Sequence, residues 1–461
     1  MKKINVDVAV IGAGTAGLAA YRKAKKYDKK VLLIEGGAYG TTCARVGCMP
    51  SKLLIAAAES AHSLEIADKF GIELNSGFKV NGKRVMERVR KERDRFVGFV
   101  LESVDNIPEE DKIKGYAKFI NDNTLEIDNH TIVEVQTIVI ATGSSPFIPP
   151  MFKEIGDRLI INDDVFSWGD LPKSVAVFGA GVIGVEIGQA LHRLGVKVKI
   201  FGKSGTIGAL SDPEIKRYAE ETFNSEFELY SNAQDVSLLK QDNQVKISYR
   251  NKKGEIEEDN FEYILVATGR KPNLLHLGLE NTSICNYHLG IPVFDNETMQ
   301  IENTNIFIAG DANNEIPLLH EASDQGHIAG MNAALFPRVE KGKRRVKLGI
   351  VFTDPQIATI GNSFKELEKF NYVIGKVSFE NQGRSRVMLK NKGLLHIYAE
   401  KETNKFLGAE IFGPQAEHLG HLLSWAYQNN MTIPQMLDMP FYHPVIEEGL
   451  RTALRDAMQK L

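Results

Sequence analysis

Two cysteines five residues apart carry the most distinctive chemistry in this chain. They stand in the segment Gly40-Thr-Thr-Cys43-Ala-Arg-Val-Gly-Cys48-Met-Pro-Ser-Lys52-Leu-Leu. Only one other cysteine, Cys285, occurs in 461 residues, so the chain has no disulfide framework. A zinc site needs about four ligands, and no second Cys pair or Cys/His cluster supplies the rest. A close pair in a reducing compartment reads instead as redox-active. A helix-forming run from Leu53 to His62 follows it. The spacing allows disulfide reach in the first turns of a helix, with Gly47 easing the chain. A helix N-terminus would also lower a thiol pKa and favour the reactive thiolate. Cys285 lies outside any motif and reads as a small packing residue.

The elements that must position this pair repeat. An apolar strand, Val8 to Ile11, leads into Gly12-x-Gly14-x-x-Gly17, a helical stretch from Leu18 to Lys26, and a second strand, Val31 to Ile34, ending at Glu35. The pattern returns as strand Val175 to Phe178, Gly179-x-Gly181-x-x-Gly184, helix Val185 to Leu194 and strand Val196 to Phe201. One such glycine pattern is a weak signal, but two between apolar strands and helices predict two dinucleotide-binding βαβ units. In each, the first glycine makes the turn, the second lets the backbone approach a pyrophosphate, and the third allows close packing. The pyrophosphate then sits at the helix N-terminus.

The two sites differ at the adenosine ribose. Glu35, eighteen residues after Gly17, can accept hydrogen bonds from ribose hydroxyls. At the same offset the second unit has Gly202, followed by Lys203. A cation in place of the acid suits a 2′-phosphate and NADP(H); a solvent-exposed lysine on the loop Gly202–Gly205 is an equally weighted alternative. A buried strand and small-residue turn follow each unit, ending Ala141-Thr142-Gly143 and Ala267-Thr268-Gly269. Strand Ile306 to Gly310 ends at Asp311. Beyond about Arg345, alternating segments such as Leu394 to Ala399 suggest an antiparallel sheet. Helical segments 416–429 and 446–458 close the chain.

Over essentially its whole length the chain resembles the class I pyridine nucleotide–disulfide oxidoreductases. The cysteine segment, both nucleotide units, the Ala-Thr-Gly turns, Gly310-Asp311 and His320-Glu321-Ala322 carry the likeness. So do Phe352-Thr-Asp-Pro355 and Tyr442-His443-Pro444 with Glu448. The resemblance implies an α/β fold with two Rossmann-like dinucleotide-binding domains and a C-terminal α+β dimerisation domain. Residues 1–147 and 275–345 would bind FAD, 148–274 would bind NAD(P), and 346–461 would dimerise. FAD would be held through Gly12, Gly14, Gly17, Glu35, Thr142, Gly143 and Asp311. The nicotinamide nucleotide would be held through Gly179, Gly181, Gly184 and Gly269, with Lys203 at its ribose.

The resemblance also implies roles. Cys48 would be the thiol beside the flavin and Cys43 the interchange thiol that meets the substrate. Lys52 and Glu186 match the family's ion pair near the flavin and nicotinamide rings. His443 would be general acid/base for the substrate thiol, oriented by Glu448, in the partner subunit's site, so a homodimer is expected. A histidine titrating near neutrality can take and return a thiol proton, and a neighbouring carboxylate fixes its tautomer.

Pro50-Ser51-Lys52 resembles the dihydrolipoyl dehydrogenase version of the motif, whereas the glutathione reductase version has Lys at the Ser51 position. The C-terminus carries no cysteine pair, which argues against mercuric reductases and large thioredoxin reductases. Arg45, Thr41 and Val445 depart from the family's usual Asn, Gly and Thr. A lipoyl group, free or tethered in a 2-oxoacid dehydrogenase complex, is the expected substrate. An NADPH-dependent reductase of another small disulfide is the second reading, and a flavoprotein that only builds a complex is a third.

Charge excludes other classes. Lys plus Arg is 56 against 59 acids, a net charge of −3, so nothing favours nucleic acid or an anionic membrane. Lys2 and Lys3 precede an apolar stretch, but Asp7 and three glycines interrupt it. No uninterrupted apolar run reaches about 18 residues, so neither a signal peptide nor a membrane span is expected and the cytoplasm is the expected location.

Overall fold

The computed structural model describes residues 1–75 and 77–461. Two compact units make up the chain, each assembled from three separate stretches.

The first comprises Met1–Pro50, Arg90–Phe147 and Arg270–Arg344. Its sheet has strands Lys112–Lys114, Val31–Glu35, Lys2–Ile11 and Thr131–Ile140 side by side, with Ile306–Ile308 also paired to Thr131–Ile140. These five are parallel, in register through Val8 opposite Val31, Val10 opposite Val139 and Phe307 opposite Val139. Strands Thr124–Ile127 and Ala117–Asn121 extend the sheet antiparallel. The near-continuous apolar runs Val8–Ile11 and Val31–Ile34 are buried on both faces, as parallel strands require. Helix Leu319–Leu335 crosses helix Thr15–Lys25 closely, because Gly326 and Gly330 face the backbone of Ala16 and Ala20, where a Cβ would overlap.

The second unit comprises Ser51–Val89, Ile148–Gly269 and Arg345–Leu461. Its parallel sheet runs Glu228–Tyr230, Lys197–Phe201, Ser174–Phe178, Tyr263–Val266, Leu159–Ile160. An antiparallel three-stranded insert, Gln234–Gln241, Gln244–Arg250 and Ile256–Phe261, stands beside it. A five-stranded antiparallel sheet follows, ordered Leu348–Val351, Gln356–Gly361, Phe406–Gly413, Leu394–Glu400, Tyr372–Ser378. Helices Ala416–Gln428 and Glu447–Lys460 pack on it through residues such as Leu419, Leu423, Leu450 and Leu454. The fold is α/β with this C-terminal α+β portion.

Three local expectations need correction. Both nucleotide helices start a turn earlier than the apolar pattern suggested, at Thr15 and Val182. Gly14 and Gly181 are their N-caps, so the third glycine of each motif lies inside the first turn. The cysteines do not share one helix. Cys43 lies in a short helix, Thr42–Val46, and Cys48 begins another, Cys48–Glu65, with the break at Gly47. Cys285 is exposed rather than packed; its neighbour Ile284 is the buried residue.

Candidate active site

The residues expected to bind the nucleotides lie at the carboxyl ends of parallel strands, where open α/β sheets bind ligands. In the first unit, Gly12, Glu35, the turn 141–143 and Asp311 each sit at or just past a strand end. Gly12 has a left-handed φ of +108°, and a Cβ there would overlap the Ala141 carbonyl. A Cβ at Gly17 would overlap the carbonyl oxygen of Gly12. Gly179 and Gly184 repeat both relations. A Cβ at Gly14, Gly143, Gly181 or Gly269 would meet no protein atom within 4 Å. The outer glycines thus close the turn on itself, while Gly14 and Gly181 leave its outer side open to a ligand.

Glu35 is held by the turn it faces. Its Oε2 accepts the Ala13 N–H at 2.7 Å and its Oε1 the Gly37 N–H at 2.7 Å. Asp311 Oδ2 accepts the Ser144 hydroxyl at 2.7 Å, and Arg270 donates to Ser144 Oγ (2.8 Å) and to its carbonyl (2.6 Å). Arg270 and Ser144 tie the strand Ser144–Pro146 to Arg270–Pro272 beside Asp311. Sequence reasoning missed both residues; only the recurrence of polar residues just after the two Ala-Thr-Gly turns could have drawn attention to them.

FAD fits this first unit on three counts. The Thr15–Lys25 helix begins at a glycine with no side-chain cap, so its first N–H groups can meet a phosphate. Gly14 offers close backbone approach. The buried Thr142 Oγ1 and His320 Nε2 have no hydrogen-bond partner among the described residues, and buried polar groups are normally satisfied. The second unit has the same uncapped glycine start at Gly181.

At its ribose position, Gly202 has a structural cause. A Cβ there would come within 2.5 Å of the Ser231 carbonyl oxygen, which also accepts the Gly205 N–H at 2.9 Å. No acid can stand at residue 202 without moving that backbone. Lys203 beside it is exposed.

Around the thiols, Cys43 is half-buried and Cys48 exposed. Thr41 caps the short helix, its Oγ1 accepting the Ala44 N–H at 3.3 Å, and adopts φ 57°, ψ 147°. That region costs a β-branched residue of order 1–3 kcal/mol. A Cβ at Gly47 would come within 3.1 Å of the Thr42 carbonyl and 3.2 Å of Cys43 Cα, so the break folds tightly back on Cys43.

Lys52, one turn into the helix that Cys48 begins, is ion-paired with Glu186. Its Nζ lies 2.8 Å and 3.0 Å from the two carboxylate oxygens. The Glu186 side chain is only 5% exposed, so it needs this cation. The Phe352 N–H also donates to Glu186 Oε1, at 2.8 Å.

His443 and Glu448 meet as well. His443 Nδ1 lies 3.0 and 3.1 Å from the two carboxylate oxygens, and the Val445 N–H donates to Oε2 at 3.3 Å. The histidine's hydrogen bond, then the Val445 N–H, hold the Glu448 carboxyl below its ordinary range. His443 itself is 81% exposed. A carboxylate on Nδ1 leaves Nε2 to face a substrate.

Known proteins resemble this chain over most of its length. The pyridine nucleotide-disulphide oxidoreductase profile matches residues 6–326, and the dimerisation-domain profile of the same name matches 348–454. A dihydrolipoyl dehydrogenase of Chlamydia trachomatis is 30% identical over 458 residues, covering 96% of this chain and 94% of that protein. A mercuric reductase of Staphylococcus aureus is 28% identical, covering 97% and 81%. The HOCl-induced flavoprotein disulfide reductase RclA of Escherichia coli superposes with a TM-score of 0.80 at 22% identity, covering 98% and 99%, a likeness of fold. The chain belongs to the pyridine nucleotide-disulphide oxidoreductase family. It is thus an oxidoreductase, a flavoprotein that uses FAD and NAD(P), and it carries a dimerisation domain.

Proposed function

We propose that this protein is a dihydrolipoyl dehydrogenase, oxidising dihydrolipoamide to lipoamide with reduction of NAD(P)+ through a Cys43–Cys48 redox disulfide. The observation that carries the reading is the thiol segment. Two cysteines flank the tight Gly47 break, at the head of a helix whose next turn bears the Lys52–Glu186 pair. Residues 1–147 and 275–345 would hold FAD, 148–274 the nicotinamide nucleotide and 346–461 the dimer interface.

This chain's residues would act in sequence. His443 takes the proton of one substrate thiol. The thiolate attacks Cys43 Sγ, the Cys43–Cys48 bond breaks, and its electron pair leaves on Cys48 as thiolate. His443 releases that proton to solvent and takes the proton of the second substrate thiol, whose thiolate attacks the substrate sulfur of the mixed disulfide. That step closes the substrate's own disulfide and expels Cys43 as thiolate. Glu448 holds the imidazole tautomer and supports the imidazolium. The chemistry that bound FAD supplies is two-electron transfer between the resulting dithiol and the nicotinamide.

Ser51 supports a lipoyl substrate over glutathione. It is 7% exposed, and a lysine in its place would have to be buried, which is rare without a partner. The dihydrolipoyl dehydrogenase relative points the same way. A second reading, an NADPH-dependent reductase of another small disulfide, draws on Gly202 and Lys203, where the acid that reads a free 2′-hydroxyl has no room. Docking to a 2-oxoacid dehydrogenase core would be compatible with the first reading.

An anaerobic assay with dihydrolipoamide, following NADH and NADPH separately, tests the proposal. Rapid turnover with either nucleotide supports it. No turnover with either, from protein whose flavin NADPH still reduces, would reject the lipoyl substrate and favour the second reading.

A further inference from the structure

We infer that Phe352 is a positioning residue for the Lys52–Glu186 pair, acting on both of its members. Its main-chain N–H donates to Glu186 Oε1 at 2.8 Å. Its ring receives the Lys52 ammonium, whose Nζ stands 4.5 Å from the ring centroid. One residue therefore anchors the anion through the backbone and the cation through the aromatic face. Lys52 is a third exposed, on a flexible four-carbon stem. Two oxygens of one carboxylate leave it free to swing about them, and the ring face removes that freedom.

The segment bearing Phe352 is itself held by the helix that carries Glu186. Asp354 donates its N–H to Gln189 Oε1 at 2.8 Å and accepts from Gln189 Nε2 at 2.8 Å through its carbonyl. Arg193 Nη1 binds the Asp354 carboxylate at 3.1 Å and also pairs with Glu226. Glu186, Gln189 and Arg193 are three and seven residues apart, on one face of helix Val182–Arg193. Three successive side chains of that face thus bind residues 352–354. Phe352 stands where it does because this ladder fixes its main chain.

The inference rests on the proposed function and on the placing of the Lys52–Glu186 pair that the family resemblance implies, near the flavin and nicotinamide rings, where it would serve electron transfer between them. Loss of the ring should slow that step and leave the Glu186 hydrogen bond intact, since the amide remains. The size expected of a partly desolvated cation–π contact is about 3- to 30-fold in rate.

Stopped-flow reduction of the holoenzyme's flavin by NADPH or NADH, whichever reduces the wild type faster, tests it. Phe352→Leu and Phe352→Met remove the ring at similar volume, Phe352→Tyr retains it, and Lys52→Gln removes the cation. Flavin content and thermal midpoint are measured for each, so that a variant that fails to fold is set aside for the other ringless one. The expected result is slowing of about 3- to 30-fold in the ringless variants, the wild-type rate in Phe352→Tyr, and an unchanged KM for dihydrolipoamide. Removing the ring in a Lys52→Gln background should add nothing further. Wild-type rates in the ringless variants, or the same slowing with and without Lys52, would overturn the inference. If Lys52→Gln itself reduces at the wild-type rate, the reading of the ion pair falls and the inference falls with it, a pattern distinct from the other two.

Discussion

Cys43 and Cys48 occupy different surroundings, and the roles assigned to them follow from that difference together with their family. Cys43→Ser should abolish dithiol turnover while flavin remains bound, checked by activity and by flavin absorbance of the same sample. At the dyad, Glu448→Gln should lower kcat about 10²-fold, the lower end expected for impaired general acid–base catalysis. Glu448 titrates below its ordinary range because it accepts from His443. It therefore stays ionised at mildly acid pH, and the acid limb of the wild-type pH profile should reflect another group. The kcat profile of Glu448→Gln checks this: its acid limb should persist rather than disappear. At the second nucleotide site, Lys203→Ala should lower kcat/KM for NADPH about tenfold if it meets a 2′-phosphate and leave that for NADH unchanged. Equal effects on both would make it a plain surface lysine. Thr41 shows a departure with a local cost: it holds a φ of 57° where the family usually places glycine.

At the scale of elements, the Glu186–Gln189–Arg193 face of one helix does most of the positioning around the ion pair. Arg193 is 6% exposed between Glu226 and Asp354. Arg193→Met should leave Glu226 without its cation and Asp354 with Lys390 alone, costing roughly 3 kcal/mol, read as a lowered thermal midpoint. For Asp354, burial acts to raise the pKa, but the charges of Lys390 and Arg193 outweigh it, so the folded carboxyl titrates low. Its contribution is fully present above the unfolded value of about 3.9 and is lost as pH falls through the lower folded value. Asp354→Asn should accordingly be less stable than wild type at pH 7 and show a shallower loss of stability below about pH 4. Elements with a strict pattern were legible in the sequence. The glycine turns, the buried parallel strands Val8–Ile11 and Val175–Phe178, and the thiol segment carry their geometry in local spacing. Helix starts were read a turn late, because Gly17 and Gly184 look like breakers but lie inside the first turn. The cysteine pair was expected in the first turns of one helix with Gly47 easing the chain, whereas Gly47 divides two helices. Contacts such as Phe352 with Lys52, or Arg270 with Ser144, join residues more than a hundred positions apart. No local pattern encodes them.

For the whole molecule, the exposure of His443 matters most. The proposed general base, 81% exposed in the single chain, fits a site completed by a second copy, as the dimerisation domain implies. Mixing Cys43→Ser and His443→Gln subunits, each inactive alone, should then restore about a quarter of wild-type activity through hybrid dimers with one intact site. No recovery would place thiol and histidine in the same subunit's site. On the proposed function, Cys43 and Cys48 form a redox pair reducible by the nicotinamide nucleotide. Anaerobic alkylation of the denatured holoenzyme, before and after one equivalent of NADH or NADPH, with peptide mapping, tests it most directly. A redox disulfide should give label on Cys285 alone before reduction, and on Cys43 and Cys48 in addition afterwards. Equal labelling of Cys43 and Cys48 in both states, or no labelling of either after the equivalent of NADH or NADPH has been consumed, would contradict it.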